Sequence, residues 1–154
     1  MVRKSFSLLV ALAVITTAFV AFPASATAPR EIKINGTDAM QYSVKKIEAK
    51  PGESLKIVLS TVSSMPKTEM AHNFILLAKG TNVDSFVMAA SMARNTEYIP
   101  AAKKASILAS TKLAGGGETV EVTFTAPTEP GEYVYICSFP GHYAAGMKGI
   151  LVVK

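Results

Sequence analysis

A chain of 154 residues, 49% hydrophobic and carrying a formal net charge of +5, is long enough to bury one core but not charged enough to define a partner by electrostatics. No Lys/Arg cluster interleaves with aromatic residues, so no nucleic-acid surface is expected. One cysteine, Cys137, rules out a disulfide within the chain, and only two histidines, His72 and His142, are present.

Residues 1–26 read as a secretory signal peptide. Arg3 and Lys4 form a basic start, Leu8 to Phe22 is nearly continuous in apolar character, and Ala24-Ser25-Ala26 is a small-x-small cleavage site. The apolar run is broken by Thr16, Thr17 and Pro23 and is short for a membrane span. A periplasmic or secreted domain over residues 27–154 is expected, soluble and monomeric after cleavage. In an oxidising compartment a lone cysteine is a buried inert thiol, an intermolecular bridge or a metal ligand.

The remaining chain reads as short strands punctuated by turns. Ile32 and Ile34 alternate with polar neighbours, Ile47 and Ala49 follow, and Lys50-Pro51-Gly52-Glu53 is a turn. Leu55, Ile57 and Leu59 point one way in a half-buried strand. The pattern lapses from Thr61 to Ala71. A strand over His72–Leu77 then places His72, Phe74 and Leu76 on one face and Asn73, Ile75 and Leu77 on the other. Val83, Phe86, Val87 and Ala90 recur at helical spacing and predict one helix over Val83–Ala93, in an insertion outside the sheet.

Ile107 to Leu113 reads as a strand ended by a Gly115-Gly116-Gly117 loop, and Val120, Val122 and Phe124 alternate in another. Tyr133, Tyr135 and Cys137 share one strand face opposite Val134 and Ile136, and a last strand spans Gly149–Val153. Together these elements predict an all-β antiparallel sandwich with Greek-key connections and one short helical insertion. Asn35-Gly36-Thr37 matches a glycosylation sequon, a motif short enough to arise by chance.

Cys137, His142 and Met147 stand at five-residue intervals in the loop between the last two strands. Pro140-Gly141 supplies a turn and Gly146 a permissive backbone, so the loop can fold back on one point, while His72 comes from another strand. Thiolate and imidazole suit copper, and a thioether is a weak axial donor, so this set accommodates both Cu(I) and Cu(II). Zinc would more often gather further Cys or His, and the chain has none. One copper ion per chain is expected.

Met70-Ala71-His72-Asn73-Phe74, Cys137-Ser138-Phe139-Pro140-Gly141-His142 and Met147-Lys148-Gly149 closely resemble the motifs of the azurin-like cupredoxins, as do Asp38-Ala39-Met40-Gln41-Tyr42 and the helical insertion. The resemblance implies a cupredoxin-type sandwich of about eight strands and a type 1 blue copper centre. It also implies one-electron shuttling between redox proteins such as c-type cytochromes or oxidoreductases. Carried over by residue, His72, Cys137 and His142 are equatorial ligands and Met147 is axial. Ala71, where azurin has glycine, offers a carbonyl from the far side. Asn73 ties the ligand segments together, and the N–H groups of Asn73 and Phe139 donate to the Cys137 sulfur. The interval from His142 to Met147 is one residue longer than in azurin and resembles auracyanin. The azurin disulfide and buried tryptophan have no counterpart here.

A docking patch is expected around His142, from Met40, Phe139, Pro140, Ala144 and Ala145. The alternative role is copper delivery or storage, drawing on the thioethers of Met40, Met65, Met70, Met88, Met92 and Met147. These are scattered rather than clustered. Enzymatic activity is not expected, because the loop has no Asp or Glu to orient a Cys–His nucleophile.

Overall fold

The computed structural model describes residues 28–154, so the signal-peptide reading lies outside the described residues. The chain forms β1 (Arg30–Thr37), β2 (Gln41–Tyr42), β3 (Lys46–Ala49), β4 (Ser54–Val62), β5 (Ala71–His72), β6 (Ile75–Leu77), α1 (Val83–Ser91), β7 (Ile107–Ser110), β8 (Ala114–Gly115), β9 (Thr119–Thr125), β10 (Gly131–Ile136) and β11 (Lys148–Val153). Two short 3₁₀ helices, Arg94–Thr96 and Ala101–Ser106, lie between α1 and β7.

One sheet runs in the order β2-β1-β4-β9 and faces a second in the order β3-β11-β10-β6-β7, while β5 and β8 pair separately. Alternation along β4 drives this arrangement. Leu55, Ile57 and Leu59 are fully buried between half-exposed neighbours, and each such side chain contributes roughly 1.5–3 kcal/mol of burial. The sheets are mixed rather than purely antiparallel as the sequence reading expects, because β1 runs parallel to β4 and β3 parallel to β11. After β1 the chain crosses to the second sheet to form β3 and returns as β4. Such a crossover delivers a strand in the same direction, where a tight hairpin reverses it.

The strand predicted over His72–Leu77 is broken in two. Asn73 and Phe74 lie between β5 and β6, and the Phe74 N–H donates 3.0 Å to Thr111 Oγ1 while its carbonyl accepts from the Thr111 N–H at 3.0 Å. The alternation survives the break, but both faces are buried. Phe74 and Leu76 enter the core between the sheets, whereas Ile75 and Leu77 pack with Phe86, Ala90 and Ile136 beneath α1. Asn82 caps α1 by accepting from the Ser85 N–H at 2.8 Å, and Asp84 in the first turn favours the positive helix end. The insertion therefore covers the outer face of the very strands that lead to Cys137.

Strand register sets the two ends apart. Arg30 and Leu55 are partners at the start of β1 and β4, with Gly131 opposite Val153. Thr37 with Val62 and Ile136 with Lys148 mark the other end, where the candidate ligands lie.

Candidate metal centre

Cys137 directly follows β10 and Met147 directly precedes β11, so residues 137–147 form a loop. The Cys137 N–H donates 3.2 Å to the Met147 carbonyl, closing its base. Inside it, the N–H groups of His142, Ala145, Gly146 and Met147 donate to the carbonyls of Phe139, Gly141, Tyr143 and His142 at 2.9–3.1 Å. Gly141 at φ 84° and Gly146 at φ 96° occupy the left-handed region this coiling requires.

His72 arrives on β5, and its ring lies close enough to β1 to need a glycine there. A Cβ on Gly36 would sit 2.6 Å from His72 Cδ2. Gly36 was legible in the sequence only as part of a sequon, although a glycine interrupting an alternating strand is a signal of close backbone approach.

His72, Cys137 and His142 are all buried and converge. The two Nδ1 atoms are 3.1 Å apart, and Cys137 Sγ lies 3.5 Å from His142 Nδ1 and 4.0 Å from His72 Nδ1. A point in the plane of the three atoms lies about 2.1 Å from each, within the range of roughly 2.0–2.3 Å over which imidazole nitrogen and thiolate sulfur bind a d-block ion. The residues present therefore fit a metal, and one soft sulfur with two imidazoles is the donor chemistry of copper.

Burial favours the neutral form of all three groups. It pushes the Cys137 thiol up to about 12, against the backbone N–H groups of Asn73 and Phe139, which pull it down. Burial and the neighbouring His72 hold His142 at about 4. His72 is also lowered by burial, opposed by Asp38 and the Thr37 backbone. At neutral pH both imidazoles keep a free lone pair. His72 Nε2 is the one buried side-chain polar atom among the described residues lacking a partner at normal hydrogen-bond geometry, although the Thr37 backbone is close enough to raise the His72 pKa.

Asn73 joins the two ligand segments. Its Nδ2 donates 2.9 Å to Ser138 Oγ, and the Ser138 N–H donates 2.9 Å back to Asn73 Oδ1. Tyr42 Oη donates 2.5 Å to the Asn73 carbonyl. Ser138 and Tyr42 are site-supporting residues that sequence reasoning did not single out; their neighbours in sequence carry no signal of these long-range bonds. The Ala71 carbonyl oxygen lies 3.9 Å from Cys137 Sγ, and Met147 is fully buried. Phe139 is 7% exposed, with its ring 4.8 Å from His142 and 5.2 Å from Tyr98. Pro140, Ala144 and Ala145 are exposed and Met40 is half-buried, whereas His142 itself is only 2% exposed.

Comparison with known proteins converges on one family. The sequence pattern of the copper binding proteins of the plastocyanin/azurin family matches residues 29–154. An azurin of Achromobacter denitrificans is 40% identical over 126 residues, covering 79% of this chain and 82% of that protein. Auracyanin-A of Chloroflexus aurantiacus is 37% identical over 135 residues, covering 84% and 78%. The crystal structure of a reduced auracyanin from Roseiflexus castenholzii superposes with a TM-score of 0.71 at 31% identity, covering 83% of this chain and 99% of that one.

Proposed function

The chain belongs to the plastocyanin/azurin family of copper-binding proteins, and from that premise we propose that it is an exported one-electron carrier. A single copper would be held by His72, Cys137 and His142, with the Met147 thioether as a further, weaker donor and the Ala71 carbonyl as a candidate contact. The observation that carries this reading is the buried triangle of one sulfur and two imidazole nitrogens. Bound there, copper supplies the chemistry by alternating between Cu(I) and Cu(II).

The residues prepare that exchange. Cys137 would bind a metal as the thiolate, its proton released to solvent, and the Asn73 and Phe139 N–H groups, which favour the charged sulfur, would support that form. The Asn73–Ser138 clasp ties the two ligand segments together, which would limit their movement when the metal changes oxidation state. Burial of all three donors excludes water. Electrons would pass through the His142 side, where Met40, Pro140, Ala144 and Ala145 offer a small apolar surface for brief docking of a redox protein such as a c-type cytochrome. The exchange makes and breaks no substrate bond, so the protein is a carrier rather than an enzyme.

Adding Cu(II) to the purified domain should produce an intense blue thiolate-to-copper band that is absent from Cys137→Ser. A colourless wild-type complex overturns the reading. Delivery or storage, the alternative, predicts fast Cu(I) transfer to an acceptor chelator; retention of copper through repeated oxidation and reduction supports the carrier.

A further inference from the structure

We propose that Gln41 is a positioning residue for Met147, acting through the Ala145 carbonyl from a hairpin that contributes no ligand. The proposal rests on the donor role given to Met147 above.

The hairpin joining β1 to β2 is anchored to the His72 segment. Gly36 backs the His72 ring, Tyr42 Oη holds the Asn73 carbonyl, and Thr37 pairs with Gln41. Its turn is closed by the Met40 N–H donating 2.8 Å to the Thr37 carbonyl, with Met40 in the left-handed region at φ 53°. A non-glycine residue persists there only where surrounding contacts impose it. The hairpin is thus a fixed wall beside one ligand.

From this wall the Gln41 side chain reaches a segment 104 residues away in sequence. Gln41 Nε2 donates 2.9 Å to the Ala145 carbonyl. No backbone N–H bonds that carbonyl among the described residues. The next residue, Gly146, has no side chain to brace its turn, and a Cβ placed on it would lie 3.3 Å from Gln41 Nε2. Met147 follows immediately. Gly146 is held by its N–H on the Tyr143 carbonyl and by its carbonyl under the Lys148 N–H, both at 2.9 Å, so the Ala145 carbonyl is the point of this turn whose support comes from the neutral amide of Gln41. That donor satisfies the carbonyl without placing a charge beside the metal. Loss of the bond leaves the Ala145 carbonyl without its partner and loosens the peptide that leads into Gly146, and the thioether shifts relative to the three other donors.

Two variants test this while keeping Gly36 and Tyr42: Gln41→Glu, which preserves shape but sets an acceptor against the carbonyl, and Gln41→Met, which removes the polar group. In the metal-free protein, amide hydrogen exchange at Gly146 and Met147 should be roughly five-fold faster in both. In the copper-loaded protein, Gln41→Met should shift the reduction potential, and the shift should vanish in a Met147→Leu background. Unchanged exchange, or a shift of equal size without Met147, overturns the proposal. A wild-type protein lacking the blue band overturns the copper reading instead, and the metal-free exchange still decides the role of Gln41.

Discussion

Where β1 and β4 begin, Arg30 pairs with Glu53 at 2.6 Å, and Glu48 pairs with Lys46 at 2.9 Å and Lys154 at 2.8 Å, all partly exposed. Where those strands finish, His72, Asn73, Cys137, Ser138 and His142 are buried and meet one another as neutral groups. The far end holds a surface cleft of about 330 Å³ lined by Arg30, Glu48, Glu53 and Lys154 and by none of the candidate ligands. A cleft by itself is therefore a poor guide to this site; convergence of buried donors is the informative feature. Ion pairs in water are screened and contribute little each, whereas a buried polar group stripped of its partner carries its full desolvation penalty. The two ends should accordingly respond very differently to the removal of a single contact.

Gly36→Ala should have the largest effect, because the added Cβ would lie 2.6 Å from His72 Cδ2 and must displace the ring. Overpacking of this kind costs about 1–3 kcal/mol, and copper titration should show affinity reduced by at least ten-fold. Wild-type affinity in the variant would mean that His72 is not a ligand or that β1 yields freely.

Asn73→Ala should come next. It leaves the Ser138 N–H and hydroxyl without their partner, a loss of about 1–3 kcal/mol in denaturant unfolding. Loss of an orienting contact should also weaken copper roughly 10- to 100-fold. At the far end, Arg30→Ala should change stability by less than about 1 kcal/mol and leave the visible spectrum untouched; a change in the blue band would break the contrast between the ends.

The smallest effect belongs to Glu48, whose carboxyl is held at about 2 by Lys154 and Lys46. Its folded pKa is depressed, so whatever stability it contributes is present above the ordinary carboxylate value and is lost as pH falls toward 2. An NMR titration should place its midpoint well below that of an unpaired glutamate, with 1 M salt moving it back. A midpoint near 4.5 in low salt would show the pairs are not formed in solution.

Much of the architecture was legible because strand alternation is local. Leu55, Ile57 and Leu59, and Tyr133, Tyr135 and Cys137, announce their shared faces within a few residues. The helix was equally plain: predicted over Val83–Ala93, it spans Val83–Ser91. The direction in which β1 meets β4 was not, because it depends on a chain crossing between sheets that no window of residues records. Nor was the break after His72, where the Thr111 side chain replaces a strand partner.

For the candidate metal centre, the sequence by itself supplied the proposed donor set. One thiolate and two imidazoles were all the chain offered, and the five-residue spacing confined Cys137, His142 and Met147 to a single loop. Tertiary structure decided which residues brace the segments that carry those side chains. Gly36 against the His72 ring, Ser138 on Asn73, Tyr42 on the Asn73 carbonyl and Gln41 on Ala145 join segments that lie far apart along the chain. Ligand chemistry is a property of residue type and can be read singly. Support is a property of pairs, and those pairs exist only once the sandwich has closed.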